Sequence, residues 1–249
     1  LAIGSYYKDW TYGGGINNYM SYGDFAPKDH YDISSYRMKR GVILNGDFTK
    51  IHDIDLKDTS QIKEFIDHSW YEYEGETNLN YTGPEMPYNN LNTDEAYSWI
   101  KAPRYKGQPV ETGPLARILI NYAAGDKAVK KLVDDTLAKL DIPLTALQSA
   151  LGRTIARGLE SVLIADWLRE DMDQLLANIK NGNQITFNSA KWEPETWEKN
   201  AKGVGWIEAP RGALGHWIVI EDGKTKEYQA VVPSTWNASP RDQNGNIGA

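Results

Sequence analysis

The arginine whose surroundings best suit it for chemistry is Arg211, in the run Ala209-Pro210-Arg211-Gly212-Ala213. Proline restrains the backbone before the arginine, and glycine allows another segment to approach closely after it. A guanidinium held on such a stiff loop can serve a site as a fixed positive charge and hydrogen-bond donor. The alternative interpretation is an arginine that pairs with a surface carboxylate.

Other polar residues in the same third of the chain have a structural interpretation beside a functional one. His216 lies at the start of a predicted strand, where a lone histidine is more often structural than a metal ligand. Ser234 and Thr235 follow Pro233, so their hydroxyls either donate to a bound anion or cap a turn. From spacing alone both interpretations stay open.

Acidic pairs and a glycine run give weaker signals. Glu72 and Glu74, like Asp171 and Asp173, are two positions apart, which places their side chains together on a strand and apart on a helix. We expect the pair on the predicted long helix to be solvated. The run Gly13-Gly14-Gly15 lacks the lysine and following helix of a phosphate-binding loop.

Composition restricts the class of protein. The chain has 249 residues, 41% hydrophobic and 24% charged, which is enough to build a globular core. Its net charge of −7, without a basic stripe, argues against nucleic-acid binding. The sequence has no cysteine, so disulfides and thiolate metal sites are excluded within these residues. Its apolar runs are shorter than the roughly 20 residues of a membrane span.

The elements that must position these residues fall into three segments. Residues 1–112 are rich in Tyr, Gly, Asn and Asp, and predict short strands on a loop-rich layer. Within them, Ile62, Phe65 and Ile66 have helical spacing and predict one short helix over Ser60–Trp70.

The second segment, residues 113–182, predicts three helices separated at Gly125-Asp126 and Ile142-Pro143. Apolar residues recur every three or four positions from Pro143 to Asn181, which predicts one core-facing helix of roughly 55 Å. We expect so long a helix to pack in a bundle with helices that lie partly outside this sequence. The apolar positions are Leu144, Leu147, Leu151, Ile155, Leu159, Val162, Ala165, Leu168, Met172, Leu175 and Ile179.

The third segment, residues 183–249, begins with a polar connection and predicts a C-terminal β-hairpin. Its strands are Trp217–Ile220 and Tyr228–Val232, joined through the turn formers Asp222-Gly223, and a turn-rich tail follows. The expected fold class is therefore α+β, with a helical bundle, a loop-rich N-terminal layer and this hairpin. We interpret the three segments as pieces of one larger subunit.

Several motifs together resemble the large subunit of membrane-bound, respiratory uptake [NiFe] hydrogenases. The resemblance runs in order along essentially the whole chain. Its most specific stretches are Glu208 to Trp217 and Val231 to Asp242. The supporting stretches are Lys8-Asp9-Trp10, Ser21 to Phe25, Tyr97 to Tyr105, Gly113 to Arg117 and Lys191 to Pro194.

The resemblance implies a nickel–iron centre, NiFe(CN)2(CO), that splits dihydrogen into a proton and a hydride. Family members hold this centre with two Cys-x-x-Cys pairs, and this sequence contains neither. We therefore expect the chain to be a middle to C-terminal piece that surrounds the metals without ligating them, and to be inactive when isolated.

Matching motifs carry roles over to four residues. Arg211 would be the catalytic arginine whose guanidinium lies above the metals and donates to an iron-bound cyanide. Pro210 would shape the protein surface above the metals, and Ser234 would donate to the second cyanide. The backbone carbonyl of Ala230 would ligate a magnesium or iron ion.

The resemblance also implies partners and a location. A small iron–sulfur subunit would receive the electrons, and a membrane cytochrome b would join the complex. The location would be the periplasmic side of the bacterial cytoplasmic membrane. Two alternatives remain: a metal-free relative with a structural or interaction role, and a hydrogen-sensing regulatory hydrogenase.

Overall fold

The computed structural model describes residues 11–27, 29–71, 76–78 and 96–249. They form four α-helices and nine β-strands, with four short 3₁₀ turns at 33–35, 59–61, 144–148 and 194–196. The helices are α1 (Pro114–Ala123), α2 (Lys127–Leu140), α3 (Ala150–Lys180) and α4 (Pro233–Asn237). The strands are β1 (Tyr19–Ser21), β2 (Gly41–Ile43), β3 (Ile62–Phe65), β4 (Glu76–Asn78), β5 (Ala102–Tyr105), β6 (Glu111–Thr112), β7 (Ala201–Ala209), β8 (Gly212–Glu221) and β9 (Lys224–Val231).

The α+β class is confirmed, and so are the two predicted breaks between the first three helices. Pro114 occupies the first turn of α1, where its missing N–H costs nothing. Asp126 caps α2, accepting from Ala128 N and Val129 N at 3.0 Å. Asp141 ends α2 in the left-handed conformation.

The long helix differs from its prediction in two respects. It begins at Ala150, capped by Ser149, because Leu144–Gln148 forms a 3₁₀ turn instead. Only its first half is core-facing: Leu159 and Leu163 are buried. Beyond them the apolar stripe is exposed, at Leu168, Met172, Leu175, Leu176 and Ile179. In the described ranges, no helix has the length and hydropathy to cross a membrane.

The predicted helix over Ser60–Trp70 is wrong. A 3₁₀ turn capped by Asp58 is followed by strand β3, which lies between β4 and β5 in an antiparallel sheet. Tertiary contacts override the helical spacing here. Glu64 faces inward with Ile62 and is buried. Its carboxylate accepts from Lys101 Nζ at 3.4 Å and from Gln229 Nε2.

The predicted hairpin is present and belongs to a three-stranded antiparallel sheet of order β7-β8-β9. The turn between β8 and β9 lies at Asp222-Gly223, both with positive φ. Strand β7 was not predicted, because Gly203 and Gly205 interrupt its apolar alternation.

Two hydrophobic cores hold these elements together. One joins α1, α2 and the first half of α3 to residues of β1 and β2. The other surrounds Trp217 and Trp236, both fully buried, and joins β8 and α4 to the N-terminal strands. Both cores unite residues far apart in sequence. The division at residues 112 and 182 stays a prediction.

Candidate functional site

Arg211 lies in the turn of the β7–β8 hairpin. Ala209 and Gly212 pair as the last register position of the two strands, so Pro210 and Arg211 form a two-residue connection. Both residues are exposed. A hairpin on a continuous ladder of paired residues gives this turn a defined direction, which the stiff-loop interpretation requires.

Two glycines let the turn pack directly on the segment before α1. Gly113, with φ +118°, brings its Cα so near Arg211 that a Cβ would lie 2.8 Å from the Arg211 carbonyl oxygen. Gly212, with φ +132°, leaves no room for a Cβ beside Thr112 and Gly113. No other residue tolerates both this φ and this proximity, so glycine fixes the position of the turn.

Ser234 lies in α4, a short helix that follows strand β9. Pro233 opens the helix and no side chain caps it, so the structure does not support a capping role for Ser234. The helix is tied to the neighbouring loops by Asn237. Its Oδ1 accepts from Thr112 N at 2.9 Å, and its Nδ2 donates to the carbonyls of Thr112 and Arg211 at 3.1 and 3.3 Å.

Arg211 and Ser234 line the same cavity, of about 310 Å³. The turn between β7 and β8, the start of α4, the end of β6 and the first turns of α3 form its wall. The other lining residues are Glu111, Thr112, Pro114, Leu115, Arg153, Arg157, Asn237 and Ala238. The structure therefore brings together two of the residues that the sequence singled out.

The cavity is rich in positive charge. Arg153, Arg157 and Arg211 line it beside a single carboxylate, Glu111. That carboxylate accepts two hydrogen bonds of 2.7 Å from Arg153. These hydrogen bonds and the negative charge of Glu111 raise the pKa of the Arg153 guanidinium. Among the described residues, Arg211 forms no ion pair. Such a cavity suits an anionic group.

Ala230 lies at a different cavity. This second cavity has a volume of about 120 Å³. Its lining includes Ala230, Glu64, Lys101 and Gln229, with the aromatic and hydroxyl side chains of Tyr71, Trp99 and Thr235 beside them. Ala230 pairs with His216 across the β8–β9 ladder. The backbone carbonyl, the buried carboxylate of Glu64 and the Gln229 amide are oxygen donors of the kind that magnesium prefers.

The remaining sequence candidates have local roles or lie outside the described residues. His216 is in the middle of β8, and its Nδ1 lies 2.5 Å from Tyr228 Oη, a structural contact. Asp171 accepts from Arg37 at 2.9 Å on the exposed face of α3. Glu72 and Glu74 lie outside the described residues. Within the described ranges, no cluster of three His, Cys, Asp or Glu could hold a metal ion.

Sequence reasoning missed a buried charge network beside the turn. Arg117 of α1 contacts Glu160 of α3 and Glu208 of β7, and all three side chains are buried. The available signal was the position of Arg117, one helical turn after Gly113-Pro114 at the start of an otherwise uncharged helix. A lone charge on a buried face requires partners.

Comparisons with known proteins extend over the whole chain. The family model for nickel-dependent hydrogenases matches residues 1–249. The uptake hydrogenase large subunits of Afipia carboxidovorans and Bradyrhizobium diazoefficiens are 45% and 47% identical, covering 100% of this chain and 45% of each relative. The hydrogenase-1 large chain of Escherichia coli is 45% identical with the same coverage.

Solved structures agree with the sequence matches. A [NiFeSe] hydrogenase variant from Desulfovibrio vulgaris Hildenborough superposes with a TM-score of 0.76 at 30% identity, over 99% of this chain and 48% of that one. The [NiFeSe] hydrogenase of Desulfomicrobium baculatum gives 0.75 at 31% identity, over 98% and 47%. The chain thus spans about half the length of the relatives it matches. It belongs to the nickel-dependent hydrogenase family, within the part of the large subunit shared with these proteins.

Proposed function

We propose that this chain is part of the catalytic subunit of a hydrogen-uptake [NiFe] hydrogenase, which oxidises dihydrogen to protons and electrons. The observation that carries the proposal is that Arg211 and Ser234, distant in sequence, line one cavity. Family membership supports a nickel–iron centre in the intact subunit. The chain contributes surroundings of that centre, since it has no cysteine to ligate the metals.

The residues of the cavity suit a metal centre with anionic diatomic ligands. Arg211 presents a guanidinium without an ion-pair partner in the described ranges, and Ser234 presents a hydroxyl on another wall. Both would donate to the two cyanides, and Pro210 would shape the space above them. When bound, the centre supplies the heterolytic cleavage of dihydrogen and accepts its two electrons.

The charge of the cavity then gives Arg211 its role. Its guanidinium lies on a fixed turn, so it can stabilise negative charge at the centre by hydrogen bonding and charge without reorganising. Arg157, which donates to the Pro210 carbonyl at 3.5 Å, adds positive charge beside the same turn. The Ala230 carbonyl, beside Glu64, would ligate a magnesium or iron ion in the second cavity.

The proposal extends to the assembly of the enzyme and its location. Large subunits of hydrogenases work with a small subunit. Here that partner would be an iron–sulfur protein that takes the electrons from this chain. We place the complex on the periplasmic side of the bacterial cytoplasmic membrane, delivering electrons to a cytochrome b. A hydrogen sensor would share the site and differ in its partners. A metal-free structural relative is disfavoured because such a protein would need neither Arg211 nor Ser234 as donors to cyanide.

The test uses the intact large subunit purified with its small subunit. Nickel content and hydrogen oxidation are measured for the wild type and for Arg211→Lys. We expect Arg211→Lys to retain nickel and to lose turnover by about a hundredfold, the usual effect of removing a fixed donor. A nickel-free wild-type complex would favour the structural relative. Nickel-loaded wild-type complex that binds hydrogen with only trace turnover would favour the sensor.

A further inference from the structure

Arg117 occupies the junction of α1, α3 and the turn that carries Arg211. Its side chain is only 2% exposed, yet its guanidinium makes five hydrogen bonds. Nε and Nη2 donate to the two carboxylate oxygens of Glu160, the latter at 2.8 Å. Nη1 donates to Glu208 Oε2 at 2.7 Å. Two carboxylates from different elements thus hold one guanidinium.

The other two hydrogen bonds reach the backbone just before Arg211. Nη1 donates to the Ala209 carbonyl at 3.1 Å, and Nη2 lies 3.5 Å from the Pro210 carbonyl. A guanidinium has five N–H groups in a planar fork, so each donor of Arg117 has an acceptor. The two residues that precede Arg211 are therefore held by a buried, rigid side chain.

One of the carboxylates that hold Arg117, that of Glu208, is itself held by the N-terminal strand. Glu208 Oε1 accepts from Tyr22 N at 2.6 Å and from Ser21 Oγ at 3.2 Å. Burial lowers the pKa of Arg117, but the hydrogen bonds and charges of Glu160 and Glu208 outweigh burial and raise it overall. The guanidinium stays charged, and leaving its place would strand two buried carboxylates.

We propose that Arg117 is a positioning residue for Arg211: by clamping the Ala209 and Pro210 carbonyls it sets where the Arg211 guanidinium meets the metal centre. This inference rests on the proposed function, since it concerns how Arg211 acts. A lysine at position 117 would keep the charge but not the fork, because one ammonium has three donors and no planar geometry. The clamp would loosen while the ion pair persists.

The experiment is a double-mutant cycle in the intact two-subunit enzyme, comparing R117K, R211K and both together. The readouts are nickel content, kcat and KM for hydrogen, and the infrared bands of the metal-bound cyanides. We expect R117K to keep nickel and KM, to lower kcat about tenfold, and to shift the cyanide bands as R211K does. The double variant should be no slower than R211K alone.

Arg104→Lys is the matched control. Arg104 is equally buried and ion-paired, but its partners are Asp242 and Ser239, not the turn. The factor by which Arg104→Lys lowers kcat should be the same with and without R211K. The infrared bands of the cyanides should stay at their wild-type positions. Glu208→Gln is a milder change to the contacts of Arg117. It replaces R117K in the experiment if R117K does not assemble, with the same readouts and the same expected results.

Two results would overturn the proposal that Arg117 positions Arg211. In the first, R117K slows turnover by the same factor with and without R211K. In the second, R117K lowers thermal stability but leaves the cyanide bands at their wild-type positions. Failure of the proposed function looks different. In that case R211K itself, fully loaded with nickel, turns over at the wild-type rate, and the coupling between the two arginines vanishes with it.

Discussion

Glu111 and Arg153 form a two-pronged ion pair in the wall of the Arg211 cavity. Arg153 Nε and Nη2 donate to the two oxygens of Glu111, each at 2.7 Å. The pair joins strand β6 to the first turn of α3, and its carboxylate is buried. It therefore both fastens the wall of the cavity and neutralises one of its three guanidiniums.

Glu111→Gln should weaken the protein and change the charge of the cavity. The substitution leaves one neutral oxygen acceptor in place of two charged ones and deprives Arg153 of its anion, so we expect a loss of about 1–3 kcal/mol in the free energy of unfolding. Urea titration of the intact large subunit measures this loss. Asp135→Asn, which breaks the exposed pair with Lys131, is the control and should stay at the wild-type midpoint. Equal midpoints for both variants would contradict the structural role.

Ser234→Ala should disturb the metal centre without unfolding the protein. The hydroxyl lies on the cavity surface and caps no helix, so its removal has little effect on stability. As a donor to a metal-bound cyanide, it should shift an infrared cyanide band and lower turnover by about tenfold. Ser234→Thr keeps the hydroxyl and should restore both readouts. Identical spectra for wild type and Ser234→Ala would remove this donor from the site.

Gly212→Ala should displace the Arg211 turn. The added methyl would collide with Thr112 Oγ1 and lie 2.6 Å from Gly113 N, and φ +132° disfavours any side chain. We expect a loss of stability together with reduced turnover. Gly205→Ala, in the same hairpin, meets open space and should be neutral or slightly stabilising. Thermal unfolding and hydrogen oxidation are measured for both variants. Similar results for Gly212→Ala and Gly205→Ala would contradict the prediction that Gly212 fixes the turn.

The sequence predicted most reliably where local chemistry alone determines structure. The breaks at Gly125-Asp126 and Asp222-Gly223 appear where predicted. Gly125, Asp222 and Gly223 have positive φ, which suits few other residues, and Asp126 caps the next helix. Prediction failed where distant partners decide. Strand β3 keeps a helical spacing of apolar residues, but Lys101 and Gln229, far away in sequence, hold its buried Glu64.

The candidate site shows the same division. Arg211 and Ser234 were identified through motifs, but their spacing in the sequence does not predict that they line the same cavity. Arg117 was missed because a single arginine in a helix is usually a surface residue. Its role depends on Glu160 and Glu208, which lie 43 and 91 positions away. Such networks become visible only when the fold places the three side chains together.

The second half of α3 should make the isolated 249-residue chain associate with itself. Leu168 and Leu175 are 64% and 51% exposed, within a stripe of apolar side chains without cover in the described structure. We expect Leu168→Gln with Leu175→Gln to shift the chain towards monomer in light scattering. Leu159→Gln, the same change at a buried position of this helix, should destabilise instead. A wild-type chain that is already monomeric would refute the expectation.

Asp242 should make stability depend on pH in the acid range. Its carboxylate, 1% exposed, accepts from Arg104 Nε at 2.8 Å, and Arg104 also holds the carbonyls of Pro240 and Asn246. Burial alone raises the pKa of Asp242, but the hydrogen bonds from Arg104 and Asn246 outweigh burial and lower it overall. Burial has the opposite effect on Arg104 and lowers its pKa, yet a guanidinium remains protonated at acid pH.

A folded-state pKa below the unfolded value, which is about 3.9, stabilises the protein above that pH. The contribution is lost as pH falls below about 4 and through the folded-state pKa. Asp242→Asn should therefore cost about 3 kcal/mol in the free energy of unfolding near neutrality and progressively less in acid. Urea midpoints of the intact subunit from pH 7 down to about 3 measure this difference. Asp173→Asn, on the exposed face of α3, is the control and should track the wild type throughout. If the urea midpoints of Asp242→Asn and the wild type differ by the same amount at every pH in this range, the buried pair does not cause the loss of stability in acid.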